Sequence, residues 1–199
     1  GAASNPRLVG AVPFANGGKA PLLFLLDAER KQLSVAGRDE AGVWQVARSW
    51  SLPVADFTGL QAIGLGASKP NALAFLGLNS AAWLSFSGQV WEVQELDGYE
   101  TPIKDGRLTD VVTGDLNQDG RKDLVFLETS KNYLDIVTFE KSAKLVPANR
   151  WQVFEERTFR GRRNDAPEPR EALIADVTGD GKNDLIVIVH DRILVYPQE

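Results

Sequence analysis

One acidic turn pattern occurs twice in this chain, and the duplication is the feature that most constrains the fold. Residues 115–124 read Asp-Leu-Asn-Gln-Asp-Gly-Arg-Lys-Asp-Leu, and residues 176–185 read Asp-Val-Thr-Gly-Asp-Gly-Lys-Asn-Asp-Leu. In both copies, oxygen-bearing side chains occupy the first, third, fifth and ninth positions, and glycine follows the third of them. The apolar runs that come next, Leu-Val-Phe-Leu and Leu-Ile-Val-Ile, are typical of buried strands. We therefore predict two loops that each join two strands.

The side chains of both loops suit a hard cation such as Ca²⁺, which takes six to eight oxygen ligands at about 2.3–2.6 Å. A glycine after the third oxygen permits the tight turn that would bring these oxygens together. The backbone carbonyls of Arg121 and Lys182 would add one ligand each, with their side chains directed into water. The predicted side-chain ligands are Asp115, Asn117, Asp119 and Asp123 in the first loop, and Asp176, Thr178, Asp180 and Asp184 in the second.

Two other kinds of turn have a similar sequence. An EF-hand is excluded because its twelfth position needs a bidentate glutamate, and Phe126 and Val187 stand there. Ordinary Asp/Asn/Gly hairpin turns have a similar composition, but two copies with matched flanking strands favour two Ca²⁺ sites. The second site is predicted to be the weaker, because Thr178 carries no charge.

The sequence also contains a longer repeat that includes these loops. An apolar four-residue run begins at positions 22, 73, 124 and 185, and a Trp-x-Val triplet begins at 44, 91 and 151, always after such a run. Each unit resolves into short strands with turn residues between them, which predicts an all-β protein. Units of this length in series are typical of a β-propeller with four-stranded antiparallel blades. The repeats span approximately residues 7–52, 53–98, 107–160 and 171–199 of a single domain.

The number of blades is left open by the sequence. About four blades are present, but the last has three predicted strands and no Trp-x-Val triplet. A four-bladed ring is the smallest kind of propeller, and an unclosed wedge would expose sheet faces and edges. We therefore favour a part of a larger ring of seven or eight blades. Upstream sequence or a second copy in a homodimer would complete it.

The two acidic loops and their apolar strands resemble the FG-GAP/VCBS repeats of integrin-α-like β-propellers. The resemblance covers the last two repeats by motif and the first two by topology alone, because residues 13–21 and 64–72 contain no acid. It implies Ca²⁺ binding by the ten residues named above, through side chains at positions one, three, five and nine and the carbonyl at position seven. It also implies a secreted bacterial protein, extracellular or periplasmic, that functions in cell adhesion and protein binding.

Composition excludes several classes of function. The net charge of −5 argues against a nucleic-acid-binding protein. The chain has no cysteine, which excludes disulfides and thiolate metal sites. No apolar run reaches the length of a membrane span. The first residues contain no signal peptide and no methionine, so upstream sequence is expected.

Catalysis is not predicted from the sequence, and no catalytic residue is assigned. The single histidine, His190, ends an apolar strand and is interpreted as a hydrogen-bonding turn residue. Glu155 and Glu156 are adjacent on a strand and would point to opposite faces. The arginine-rich residues 157–170 are interpreted as a solvated connection, with an exposed binding loop for an anionic partner as the alternative.

The five tryptophans are divided into two groups. Regular spacing predicts that Trp44, Trp91 and Trp151 pack between blades, whereas Trp50 and Trp83 are freer to bind a ligand. The sequence as a whole predicts a non-catalytic, calcium-binding module that binds a protein or glycan through its blade-connecting loops. The alternative is a carbohydrate-active domain, either a lectin or the scaffold of a polysaccharide-processing enzyme.

Overall fold

A computed structural model describes residues 8–16, 19–52, 57–65, 72–85, 97–139, 145–154 and 167–198. These residues form strands and turns, and no helix occurs among them. Accordingly, the described part of the chain contains no helix that is long and apolar enough to cross a membrane. The predicted all-β, propeller-type fold is confirmed, because the strands group into four antiparallel sheets.

The strands form four blades in chain order, and within each blade consecutive strands are hydrogen-bonded neighbours. Blade 1 consists of β1 (Leu8–Asn16), β2 (Lys19–Asp27), β3 (Gln32–Arg38) and β4 (Trp44–Ser51). Blade 2 consists of β5 (Phe57–Ile63), β6 (Ala72–Gly77), β7 (Ser80–Ser85) and β8 (Asp97–Glu100). Blade 3 consists of β9 (Leu108–Gly114), β10 (Asp123–Glu128), β11 (Tyr133–Phe139) and β12 (Leu145–Gln152). Blade 4 has three described strands, β13 (Glu171–Ala175), β14 (Asp184–Val189) and β15 (Arg192–Tyr196).

The first strand of each blade lies innermost. β1, β5, β9 and β13 contact one another in succession, whereas β4, at the far end of its sheet, is exposed along nearly its whole length. Two glycines allow this close approach. A Cβ on Gly10 would lie 2.6 Å from Leu60 Cβ, and one on Gly114 would lie 2.9 Å from Ile174 Cβ. The inner strands therefore surround the axis of the propeller.

Each blade has a front face, turned toward the preceding blade, and a back face, turned toward the following one. The second strands β6 and β10 are buried at every residue, because both of their faces are covered by neighbouring blades. Three hydrophobic clusters fill the three gaps between blades. In the third, Val125, Leu127 and Leu134 on the back of blade 3 pack against Leu185 and Val187 on the front of blade 4.

The structure corrects the division of the tryptophans. Trp44, predicted to pack between blades, is 40% exposed, and Trp83, predicted to be free, is 2% exposed in the second cluster. Trp50 packs against the first cluster. It pairs with Leu33 as Trp151 pairs with Leu134, so that Trp50, and not Trp44, is the equivalent of Trp151. Residues 86–96, which include the second Trp-x-Val triplet at Trp91, lie outside the described residues, and β8 is the fourth strand of blade 2.

Candidate functional site

The two acidic loops lie at the same end of blades 3 and 4. The first, residues 115–123, joins β9 to β10, and the second, residues 176–184, joins β13 to β14. The loops are linked directly, because Asn183 Nδ2 donates a hydrogen bond of 2.9 Å to the backbone carbonyl of Asp115. The prediction that each loop joins two strands is correct.

In the first acidic loop, the carboxylates accept hydrogen bonds from the loop's own backbone. Asp115 accepts from the amides of Asn117, Asp119 and Gly120 at 2.9–3.3 Å. Asp119 accepts from the Arg121 amide and forms a 2.6 Å ion pair with the Arg121 guanidinium. This ion pair lowers the pKa of Asp119, and it corrects the expectation that the Arg121 side chain points away into water.

The second acidic loop has the same kind of turn. Asp176 accepts hydrogen bonds from the amides of Gly179 and Gly181 at 2.6 and 2.9 Å, and Asp180 accepts one from Lys182 at 2.9 Å. Gly179 and Gly181 both adopt positive φ, as does Gly120 in the first loop. The glycine is thus needed where predicted, because a side chain there would strain the backbone.

The last aspartates of the loops are both buried, but their surroundings differ. Asp123 accepts a bond from the Leu116 amide on Oδ2, while its Oδ1 is buried without a hydrogen-bond partner. Burial is the main reason that the pKa of Asp123 is raised, and the charges of Asp119 and Asp115 add to the rise. The Leu116 amide and the Thr138 hydroxyl oppose it in part. Asp123 is therefore a carboxylate that lacks a compensating positive group.

In the second loop, backbone amides stabilise the buried carboxylate of Asp184. Its Oδ2 accepts from the amides of Val177 and Thr178 at 2.9 and 3.0 Å, and its Oδ1 accepts from the Gln198 amide at 3.3 Å. The bond from the Val177 amide is the main reason that the pKa of Asp184 is lowered, and the amides of Thr178 and Gln198 act in the same direction. No further positive group is needed there.

These contacts test how well the loops fit the predicted Ca²⁺. The unpartnered Oδ1 of Asp123 fits a cation, whereas Asp119 already has a positive partner in Arg121. In the second loop, the carboxylate oxygens of Asp184 are satisfied by backbone amides. Within the described residues, no group of three or more His, Cys, Asp or Glu is arranged to hold a metal ion. Ca²⁺ binding by the ten predicted residues stays a prediction, and the structure favours the first loop for it.

A second cluster lies on the inner strands, and the sequence analysis missed it. Gln61 on β5 donates from Nε2 to Oδ1 of Asp110 on β9, which joins blades 2 and 3 beside the axis. The same Oδ1 accepts a 2.8 Å bond from the Val111 amide. Glu171 occupies the equivalent position on β13, because it pairs with Ile188 as Asp110 pairs with Leu127. The structure thus places a carboxylate at the same level of two neighbouring inner strands.

A polar network joins the outer parts of blades 2 and 3. Asp135, 1% exposed, accepts bonds from the hydroxyls of Tyr99 and Thr101 at 2.8 and 2.7 Å and forms an ion pair with Arg150. Burial, assisted by Asp135, raises the pKa of Tyr99 to about 12. The Tyr99 ring stacks on Phe126 with 4.8 Å between ring centroids. This network connects blades and is closed to solvent at Asp135, so that a role in stability explains it.

His190 is a turn residue, as the sequence predicted. It adopts positive φ between β14 and β15, and its amide donates to Glu168 Oε2 at 3.1 Å. Its Nδ1 lies 3.5 Å from Glu168 Oε1, and its ring packs on Phe154. Residues 155–166, which include Glu155, Glu156 and most of the arginine-rich segment, lie outside the described residues.

Comparison with known proteins identifies similar structures but no family. No family model and no curated protein matches the chain. A crystal structure from Bacteroides uniformis, provisionally named a 6-phosphogluconolactonase, has a TM-score of 0.62 at 15% identity, over 98% of this chain and 52% of its own. A protein from Lactobacillus plantarum has a TM-score of 0.58 at 12% identity, over 95% and 52%. This chain therefore spans about half the length of both, and these identities show the fold alone.

These findings correct the predicted identity. Membership of the FG-GAP/VCBS family is wrong, because no family model matches and the fold occurs in a protein named as a lactonase. The predictions of a non-catalytic module and of no enzyme activity are corrected by the same finding, because the similar fold belongs to a protein named as an enzyme. The description as an FG-GAP adhesion module is wrong as well, because the similar fold belongs to a protein named as a lactonase. The physical reason is that an Asp/Gly turn is a local solution which many propeller functions can share.

Proposed function

We propose that this chain forms half of a β-propeller hydrolase that opens a small sugar lactone, with the reaction at the axis of the ring. The observation that carries the proposal is the contact between Gln61 and Asp110, which holds a half-buried carboxylate beside the axis. The name of the Bacteroides uniformis neighbour supplies the class of substrate. Further blades complete the ring, since this chain spans about half of that neighbour.

The geometry suits Asp110 for the role of a general base. Both of its hydrogen bonds end on Oδ1, so that Oδ2 has no hydrogen-bond partner among the described residues. Gln61 and the Val111 amide fix the orientation of the carboxylate, which is what a base needs in order to reach one proton of a bound water. Asp110 lies beside the axis, where the inner strands converge, and ligand sites often lie where several structural elements meet.

The proposed reaction is the addition of water across the ring ester. Oδ2 of Asp110 takes a proton from water, and the oxygen of that water forms a bond to the lactone carbonyl carbon. The bond from this carbon to the ring oxygen then breaks, and the ring oxygen leaves as an alcohol after it receives the proton. Asp110 returns to the ring oxygen the proton that it took from water, so that the carboxylate is regenerated. Glu171, exposed at the same level of the next inner strand, is a second carboxyl group beside this path.

The test is hydrolysis of 6-phosphogluconolactone and of the unphosphorylated gluconolactone, followed as acid release above the spontaneous rate. A positioned base contributes about 10²–10⁴-fold, so we expect Asp110→Asn to lose activity by about that factor. Gln61→Leu should lose less, because Asp110 remains but is free to turn. Glu100→Gln is the matched control, since Glu100 is an exposed acid on the outer strand β8. Wild-type turnover that equals the spontaneous rate would reject the proposal.

A further inference from the structure

No blade of the described residues covers the back face of blade 4. Three of its apolar side chains are strongly exposed: Leu173 by 58%, Ile193 by 68% and Val195 by 44%. These three residues lie on the same face of one sheet. An apolar face of this kind indicates a contact surface, whereas single exposed apolar residues need no explanation. The pairing registers show what normally covers such a face.

Blade 3 supplies the comparison, because its back face is covered. Val125 pairs with Val112 and Ile136, just as Ile186 pairs with Leu173 and Val195. Leu134 pairs with Leu127 as Ile193 pairs with Ile188, so that Leu134 is the equivalent of Ile193. Leu134 is fully buried under the front face of blade 4, whereas Ile193 is mostly exposed. The occupant that fits the back of blade 4 is therefore the front face of another blade.

Among the described residues, the front face of blade 1 is not covered by another blade. Ala11 and Pro13 on β1 are exposed there, and Leu23 and Leu25 on β2 are half-buried. Leu23 is the equivalent of Leu185 by register, and Leu185 is buried against the back of blade 3. The chain thus carries both halves of the contact that already joins its own blades.

We propose that two copies of this chain form one closed ring, in which the back of blade 4 packs on the front of blade 1 of the second copy. The proposal rests on the half-ring part of the proposed function. A two-fold axis makes the contact twice and leaves no open face. The chain length agrees with two copies per ring, because this chain covers 52% of each similar structure.

The first experiment is the mass of the protein in solution at micromolar concentrations, by light scattering on a sizing column. We expect about twice 21.8 kDa for the wild type and 21.8 kDa for the double variant Leu173→Asp/Ile193→Asp. Both residues are exposed, so that the change should leave the fold intact, which circular dichroism checks. The control is Leu78→Asp, at a similarly exposed apolar residue between β6 and β7 of blade 2, away from both proposed faces, and it should keep the doubled mass. A monomeric wild type, or an equal effect of the control, would overturn the proposal.

A cross-link identifies the contact itself. Gly114 lies against Ile174 between blades 3 and 4, and their register equivalents at the proposed contact are Ala175 and Pro13. Because the chain has no cysteine, oxidation of Pro13→Cys/Ala175→Cys tests this one pair. A covalent dimer is expected, and a doubled mass without the cross-link would refute this arrangement. Lactone hydrolysis in the same fractions separates the two proposals, since an inactive ring rejects only the hydrolase, and an active monomer rejects only the pairing.

Discussion

The two acidic loops share one sequence motif, yet their last aspartates have opposite electrostatic surroundings. Asp184 receives three backbone amides, one of them from Gln198 beyond β15. Asp123 receives the Leu116 amide and keeps one buried oxygen without a partner. Accordingly, the pKa of Asp184 is lowered and that of Asp123 is raised. The difference teaches that the repeated motif fixes the turn, while contacts from distant residues decide whether the turn needs a cation.

Calcium should produce the largest effect, and it should act through the first loop alone. A cation there would pair with the free oxygen of Asp123 and replace Arg121 at Asp119. A free Ca²⁺ concentration of a hundred times the dissociation constant adds about 2.7 kcal/mol to the free energy of unfolding. We expect the melting temperature in calcium to exceed that in chelator for the wild type and for Asp180→Ala, but not for Asp119→Ala. A shift that Asp180→Ala removes as fully as Asp119→Ala would erase the distinction between the loops.

Exchange of each buried aspartate for asparagine should change stability in opposite directions in chelator at pH 7. Asp123→Asn removes a buried charge, and its amide oxygen can still accept from Leu116, so that stability rises. Asp184→Asn places an NH₂ group against backbone N–H donors, so that stability falls. Chemical denaturation of the two variants measures both changes.

The pH dependence of these two changes provides the control. A raised pKa in the folded state means that Asp123 destabilises the protein once the pH exceeds that pKa, and not below the unfolded value of about 3.9. A lowered pKa means that Asp184 stabilises above the unfolded value, and this contribution is lost as the pH falls through its folded pKa. Both mutational effects should therefore shrink between pH 7 and pH 3. Effects of the same sign, or of constant size, would contradict the assigned surroundings.

The same contrast explains what the sequence could and could not predict. Recurring apolar runs predicted the strands and the blades, because burial between stacked sheets leaves a local pattern at residues such as Leu124 and Leu185. The partners of Asp184 were not predictable, since the Gln198 amide is brought to it by the fold. The prediction from the Trp-x-Val spacing failed because residue spacing does not determine the pairing register of strands. The register places Trp50, and not Trp44, opposite Leu33. The inner-strand pair of Gln61 and Asp110 was missed because neither residue belongs to a motif.

The smallest expected effect concerns the backbone of the loops. Gln118 in the first loop has a φ of 58°, and Gly179 at the same position of the second has a φ of 78°. A side chain in this region costs about 1–2 kcal/mol, and a glycine loses more chain entropy on folding, by about 0.5–1 kcal/mol. Gln118→Gly should therefore stabilise the protein by about 0.5 kcal/mol, and Gly179→Gln should destabilise it by a similar amount, both measured by denaturation in chelator. Because the two exchanges are mirror images, changes of the same sign would show that the loops differ in backbone as well as in the surroundings of their last aspartates.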